Sequence, residues 1–143
     1  MDRRHARKPP TRPFVLIVGR HQDTRELYAA GLPPLGFDVM TAADRADGYK
    51  QAWGSRPDLI VADVVPAHRD GWALLRDLKS DPRTRDIPVV VVTGDGQPPV
   101  HAGAACEGAA AVIVKPCLPE DLALELRQVL MRQTSHEPAS ARA

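Results

Sequence analysis

Five short apolar runs recur along the chain, and four of them are apolar nearly throughout instead of alternating with polar residues. Continuous runs of this kind are typical of parallel β-strands that are covered on both faces of a sheet. The pattern therefore predicts five strands. They lie at residues 14–18, 37–41, 59–62, 89–92 and 112–114.

The segments between these runs have helical patterns. Asp23 can cap a first helix, with Glu26 three residues on completing a capping box, and this helix is expected to end near residues 31–34. Residues 44–54 and 70–79 predict a second and a third helix, and residues 99–107 a weaker fourth, rich in Gly and Ala. The last helix is predicted over 119–132, where Pro119 suits the first helical position.

Strands that alternate with helices and short connections predict an α/β fold, a flavodoxin-like (βα)5 three-layer sandwich. We expect a parallel five-stranded sheet with the strand order 2-1-3-4-5 that this architecture has. The folded domain is predicted to span residues 14–132. Residues 1–13 are expected to form a disordered basic arm and residues 133–143 a disordered tail, because neither has much to bury.

Composition narrows the class of protein. Of the 143 residues, 43% are hydrophobic and 26% charged, and no apolar run approaches the roughly 18 residues of a membrane span. The first thirteen residues lack a secretory h-region, so we expect a cytoplasmic protein without membrane contact. They hold five Lys/Arg against one Asp, but no interleaved aromatic residues, so direct nucleic-acid binding is not expected.

The two cysteines, Cys106 and Cys117, have neither the spacing of a CxxC redox pair nor that of a zinc site. We therefore expect two reduced, mostly buried thiols. No other group of His, Cys, Asp and Glu has metal-ligand spacing, so the sequence predicts no metal cluster.

Chemistry in an open α/β sheet gathers beyond the carboxyl ends of its strands. Here the first strand ends into Gly19 and Arg20, the third at Asp63, the fourth at Thr93 and the fifth at Lys115. A carboxylate, a hydroxyl and an ammonium at one edge suit a phosphoryl group: the carboxylate as nucleophile, the others as its partners. Each residue alone is weak support, because Asp often caps turns and Thr often simply favours strands.

The order VLIV, PDLIVAD, DGWALL, PVVVVTG and VKP resembles the response-regulator receiver family, which is CheY-like, over about residues 14–131. The resemblance implies that Asp63 is the phosphoacceptor, Thr93 the switch hydroxyl and Lys115 the lysine that contacts the phosphoryl group. It also implies a turn at residues 70–71 that opens the third helix, and a cis peptide bond before Pro116.

The sequence departs from the family where the family binds Mg²⁺. Receivers place two acidic residues after the first strand, whereas this chain has Gly19 and Arg20, which leaves Asp63 as the single carboxylate. We expect an atypical receiver that binds Mg²⁺ weakly at best, with no other cofactor. Arg20 either pairs with Asp63 in place of the metal or points to solvent, and His21 could interact with Asp63 in a pH-dependent way.

Two further departures concern the response to phosphorylation. Val112 stands where the family has an aromatic residue that rotates as Thr93 engages phosphate, so the usual two-state response is expected to change. Pro66, and the Pro pair at 98–99, put the geometry of the neighbouring loops in doubt.

These features leave two main interpretations. In the first, the chain is a single-domain protein-interaction module of two-component signalling with impaired or absent phosphorylation at Asp63. Its docking face, by the resemblance, is formed by the fourth helix, fifth strand and fifth helix, which also allows a homodimer. In the alternative, Asp63 receives a phosphoryl group from a histidine kinase or phosphotransfer protein.

Neither interpretation makes the chain an enzyme. The triplet at residues 68–70 spells a kinase motif, but the chain has no Gly-rich loop or DFG and is too short for a kinase. It is also too short for a receiver joined to an effector domain, so we expect output through partners. Flavin or nucleotide binding has little support, because no phosphate-cradling loop follows the first strand.

Overall fold

The computed structural model describes residues 12–65 and 69–142, with the backbone alone at 69–70 and 134–142. Strands and helices alternate through these residues, and a short 3-10 helix, Pro33–Leu35, follows the first α-helix. The strands are β1 (Phe14–Val18), β2 (Asp38–Ala42), β3 (Leu59–Asp63), β4 (Val89–Thr93) and β5 (Ala111–Val114). The helices are α1 (Gln22–Gly31), α2 (Arg45–Ser55), α3 (Arg69–Ser80), α4 (Pro98–Cys106) and α5 (Pro119–Arg142).

The five strands form one parallel sheet in the order β2-β1-β3-β4-β5, which confirms the predicted fold class. Every residue of β3 and β4 is buried, as expected for strands covered on both faces. One core lies between the sheet and helices α1 and α5, and includes Tyr28, Phe37 and Leu126. The second lies on the opposite face and includes Leu74, Leu75 and Leu78 of α3.

The strand register brings the carboxyl ends of neighbouring strands to one edge of the sheet. Val18 in β1 lies opposite Ala62 in β3, and Asp63 lies opposite Val92 in β4. Thr93 in turn lies opposite Val114, the last residue of β5. The groups that follow these positions are therefore neighbours in space.

The helices correct some of the predicted boundaries. Helix α1 begins at Gln22 with His21 as its N-cap residue, and Asp23 lies in the first turn instead of capping it. The connection from β1 is short, so the chain enters the helix before Asp23, whose charge there favours the helix dipole. The weakly predicted α4 is present, and α5 continues to Arg142, beyond the predicted end at residue 132.

The structure also differs from the sequence prediction at the N-terminal arm and at one cysteine. Arg12 and Pro13, which the sequence assigns to the basic arm, lie against the domain: Arg12 Nε is 2.7 Å from Asp38 Oδ1, and Pro13 is buried. The rest of the arm and Pro66 lie outside the described residues, so disorder of the arm stays a prediction, whereas the residues of the expected tail up to Arg142 continue helix α5. Cys117 is buried as expected, but Cys106 is exposed.

Candidate phosphoacceptor site at the carboxyl edge of the sheet

Asp63 ends β3 as a deeply buried carboxylate. Its side chain is only 2% exposed, and among the described residues neither of its oxygens accepts a hydrogen bond. A buried carboxylate without hydrogen bonds is costly, because its charge has lost water and gained no donor in return. Both oxygens of Asp63 are therefore available to contact a ligand or to form a covalent bond.

Two basic side chains approach this carboxylate. Lys115 Nζ lies 2.9 Å from Asp63 Oδ1, at an angle that does not make a hydrogen bond, and His21 Nδ1 lies 3.6 Å from Oδ2. In the described part of the chain the ion pairs of Asp63 are with these two residues and not with Arg20, which has an interaction of its own. The hypothesis that Arg20 pairs with Asp63 therefore gains no support, whereas the approach of His21 was anticipated.

Lys115 is positioned by the end of the sheet. Its backbone N–H donates to the carbonyl of Thr93 at 2.8 Å, and the bond to Pro116 that follows is cis, as the family resemblance implies. Thr93 itself is fully buried, and its hydroxyl accepts a hydrogen bond from the backbone N–H of Asp95 at 3.1 Å. The three residues predicted to handle a phosphoryl group thus lie at one edge.

Val112 is partly buried and packs against the core formed with α3 and α4. Its side chain is on the same face of β5 as Val114, which is 40% exposed at the end of the strand. With no ring at position 112, the strand has no aromatic group that could move between the core and the surface.

A pocket opens between the end of β1 and the start of α2, and Asp63 lines it. Gly19, Arg20, Asp44 and Val65 also line it. The Asp44 carboxylate already caps α2 by accepting the N–H of Asp47 at 2.8 Å. No cluster of three or more His, Cys, Asp or Glu side chains occurs within the described ranges.

Two residues beside the site have contacts that the sequence patterns do not indicate. Arg25 of α1 donates from a guanidinium nitrogen to the carbonyl oxygen of Gly19 at 2.6 Å. The hydroxyl of Tyr28, buried in the same helix, donates to the carbonyl of Cys117 at 2.8 Å. Burial chiefly, together with the charge and hydrogen bond at Cys117, raises the pKa of Tyr28 far above its ordinary value. Helix α1 is therefore tied to both β1 and the segment after β5.

Residues 15–127 match the family model described as the response regulator receiver domain. The chain belongs to this family. Receivers of two-component response regulators exchange signals with histidine kinases and other signalling proteins, and as a family they are generally not enzymes. No described helix of this receiver is long and apolar enough to cross a bilayer.

Curated relatives of the receiver include transcriptional regulators. It is 32% identical to the DNA-binding dual master transcriptional regulator RpaA of Synechocystis sp., over 91% of this chain and 54% of that protein. It is 31% identical to the phosphate regulon transcriptional regulatory protein PhoB of Pseudomonas aeruginosa, over 82% of this chain and 52% of that protein. The receiver thus spans about half the length of these relatives.

Solved structures share the fold. The Vibrio cholerae chemotaxis protein CheY4 superposes with a TM-score of 0.77 at 26% identity, over 82% of this receiver and 98% of CheY4. NtrX from Brucella abortus gives a TM-score of 0.80 at 28% identity, over 90% of this receiver and 29% of NtrX. The fold of this receiver thus matches nearly the whole of CheY4 and one part of the longer NtrX chain.

Proposed function

We propose that this receiver acts mainly as a protein-interaction module whose Mg²⁺-dependent phosphorylation at Asp63 is impaired or absent. The observation that supports this most directly is the end of β1. Gly19 and Arg20 follow the strand where the family has its acidic pair, so the end of β1 adds no carboxylate to Asp63 in the pocket. The chain is in this sense an atypical, degenerate member of its family.

The donor set at this edge does not fit Mg²⁺. The ion prefers six oxygen ligands in octahedral geometry and is usually held by one or two carboxylates besides water. Asp63 is already within ion-pair distance of Lys115 and His21, and Asp44 is engaged as a helix cap. Without a bound metal, phosphoryl transfer lacks several kcal/mol of charge stabilisation, so we expect it to be slow.

The response downstream of Asp63 is also altered in this proposal. Thr93 is buried and engaged with Asp95, and Val112 has no ring that could follow a movement of its hydroxyl. A receiver of this kind would present one constant surface to its partner, instead of two surfaces selected by phosphorylation.

The alternative is a working phosphoacceptor that takes a phosphoryl group from a histidine kinase or phosphotransfer protein. One observation favours it: Asp63 is buried, lacks hydrogen bonds and has the ammonium of Lys115 at 2.9 Å. This arrangement keeps a nucleophilic oxygen available and a cation beside it.

Incubation with a small phosphodonor and Mg²⁺, followed by intact-mass measurement, separates the two functions. For the interaction module we expect no gain of a phosphoryl group in the wild type beyond the level of Asp63→Ala. A stoichiometric gain that disappears in Asp63→Ala would establish the phosphoacceptor and exclude the first proposal. A receiver with an intact acidic pair serves as the positive control for the donor.

For the docking face we propose α4, β5 and α5, which the family resemblance also implies. Its apolar character supports this choice, since Val114 of β5 is 40% exposed and Leu118, in the connection from β5 to α5, is 60% exposed. Leu118→Glu is expected to weaken binding of a partner or a homodimer through this face. Leu27→Glu, at a 47% exposed leucine on α1, is the matched control. Equal loss in both variants, measured by light scattering or partner titration, would place the interface elsewhere.

A further inference from the structure

An exposed tryptophan and an arginine stack on each other at the amino edge of the sheet, at the opposite end from Asp63. Helix α2 begins at the carboxyl edge and ends at the amino edge, shortly before β3 begins. Trp53 lies near that end and is 38% exposed. The segment between α3 and β4 reaches the same edge and places the guanidinium of Arg83 4.6 Å from the centre of the Trp53 ring. We call these two segments, residues 50–56 and 82–85, the amino-edge patch.

Arg83 is held in this position by a carboxylate that is itself withdrawn from solvent. Its Nη2 donates to Asp81 Oδ2 at 2.7 Å, and its Nε lies 3.1 and 3.2 Å from the two carboxylate oxygens. The hydroxyl of Tyr49 donates to the same carboxylate. The side chain of Asp81 is 11% exposed, whereas that of Arg83 is 51% exposed. The pair therefore presents its positive member to solvent, and an arginine that is already ordered loses little freedom when a partner binds.

The amino-edge patch is basic, although the folded domain as a whole is not. From residue 14 onward the chain has more Asp and Glu than Lys and Arg. The patch contains no carboxylate, and its four exposed cations are Lys50, Arg56, Arg83 and Arg85. The next carboxylate along the chain, Asp86, interacts electrostatically with Lys79. A surface with this excess of positive charge attracts acidic groups.

Gly54 leaves the backbone uncovered beside Trp53. It lies inside α2, where a glycine weakens the helix relative to an alanine. The packing of the fold does not require it, because a Cβ atom there would meet nothing within 4 Å and the backbone is not in the left-handed conformation. The missing side chain instead leaves space for another chain to come close to the indole ring.

We propose that the amino-edge patch binds an acidic segment of a partner protein, with its carboxylates on the cations of the patch and an apolar side chain against Trp53. Tryptophan and arginine are among the residues that most often dominate the free energy of protein–protein binding. A protein segment fits better than single-stranded nucleic acid, which uses a series of aromatic rings for stacking, whereas this patch has one. The patch includes no residue of the phosphoacceptor site or of the docking face on α4, β5 and α5, so the inference goes beyond the proposed function.

The test titrates the full chain into a fluorescently labelled peptide of alternating glutamate and leucine and follows the anisotropy of the label. Salt is kept at about 0.1 M, where exposed charges more than about 10 Å apart are largely screened from each other. The wild type is expected to bind the peptide saturably. Gly54→Glu places a carboxylate beside Trp53 in open space, and we expect it to weaken binding at least about tenfold.

Gly103→Glu is the matched control for this variant. Gly103 lies in α4, outside the patch, and a Cβ atom there also meets nothing within 4 Å. The two variants change the net charge of the chain equally, but the charge at position 103 is screened from the patch, so we expect a loss of less than about twofold. Equal affinities of the two variants, or no saturable binding by the wild type, would overturn the proposal.

Two alanine variants show whether Gly54 serves binding or folding. Gly54→Ala and Gly103→Ala are both expected to raise the Tm, because alanine favours a helix more than glycine does. Gly54→Ala alone is expected to weaken peptide binding as well, since its methyl group narrows the approach to the indole ring. A Tm of Gly54→Ala below that of the wild type would mean that the fold requires this glycine, and it would count against the proposal.

A single-stranded thymidine oligonucleotide with the same negative charge as the peptide tests the other class of acidic ligand. We expect it to bind more weakly than the peptide, because the patch offers one aromatic ring for stacking. Tighter binding of the oligonucleotide, weakened by Gly54→Glu, would assign the patch to nucleic acid and overturn the proposal.

Discussion

Lys115 is predicted to stabilise the fold only because Asp63 is buried beside it. The two charges are 2.9 Å apart, the carboxylate side chain is 2% exposed and the lysine side chain 30% exposed. At an effective dielectric constant near 20, the gross attraction is about 6 kcal/mol, and desolvation of both groups offsets much of it. Lys115→Met leaves the carboxylate without its nearest cation, and we expect it to cost about 2–3 kcal/mol.

Neutralising Asp63 is expected to remove most of the stabilisation that Lys115 provides. Asp63→Asn removes the buried charge while keeping the shape of the side chain, so it is expected to stabilise the protein by about 1 kcal/mol. In that background Lys115→Met should cost less than about 1 kcal/mol, since the lysine can reach water. The coupling energy between the two positions is therefore expected to be about 2 kcal/mol.

Urea unfolding at neutral pH, followed by the fluorescence of Trp53 and Trp72, measures all four corners of this cycle. Lys50→Met, at an exposed lysine on α2, is the matched control and is expected to change stability by no more than about 0.5 kcal/mol. If Lys115→Met costs the same with Asp63 charged as with it neutral, the ion pair does not determine the stability of this site.

The remaining predictions concern two contacts outside the site. Tyr28→Phe leaves the buried carbonyl of Cys117 without its donor and is expected to cost about 1–2 kcal/mol in urea unfolding; no change would mean that another donor replaces the hydroxyl. Arg83 and Tyr49 hold the pKa of the Asp81 carboxyl well below its usual range. A lowered folded-state pKa stabilises above the unfolded pKa, so the Tm advantage of wild type over Asp81→Asn should shrink as pH falls below about 4. An advantage that stays constant with pH would exclude this linkage.

The strands were predictable because a parallel strand that is buried on both faces needs apolar residues at nearly every position. The sequence prediction for β1 agrees with the structure residue for residue, and β3 and β4 each continue one residue further, to Asp63 and Thr93. The helix ends were less predictable, since a short connection after β1 decided where α1 begins and a capping motif at Asp23 did not.

The sequence predicts which residues lie at the site, but it does not predict the contacts around them. Strand ends alone indicate that Asp63, Thr93 and Lys115 share an edge, because a parallel sheet brings its carboxyl ends together. The contact of Tyr28 with the segment after β5 spans 89 positions. The closeness of Gly19 to Asp63 depends on how two strands approach each other. Neither has a local pattern, so only three-dimensional packing could reveal them.

The loss of the acidic pair and the packing of β1 support one another physically. Glycine at position 19 provides no carboxylate, and a Cβ atom there would lie 2.8 Å from Asp63 Cβ, so a side chain at this position requires the end of β1 or Asp63 to move. An acidic side chain at position 19 would therefore have to displace these neighbours before it could share a cation with Asp63. A single substitution is thus penalised before it can bind metal. In the described structure Asp63 lies 2.9 Å from the ammonium of Lys115 and 3.6 Å from His21 Nδ1, so the lysine charge offsets part of the charge of the carboxylate.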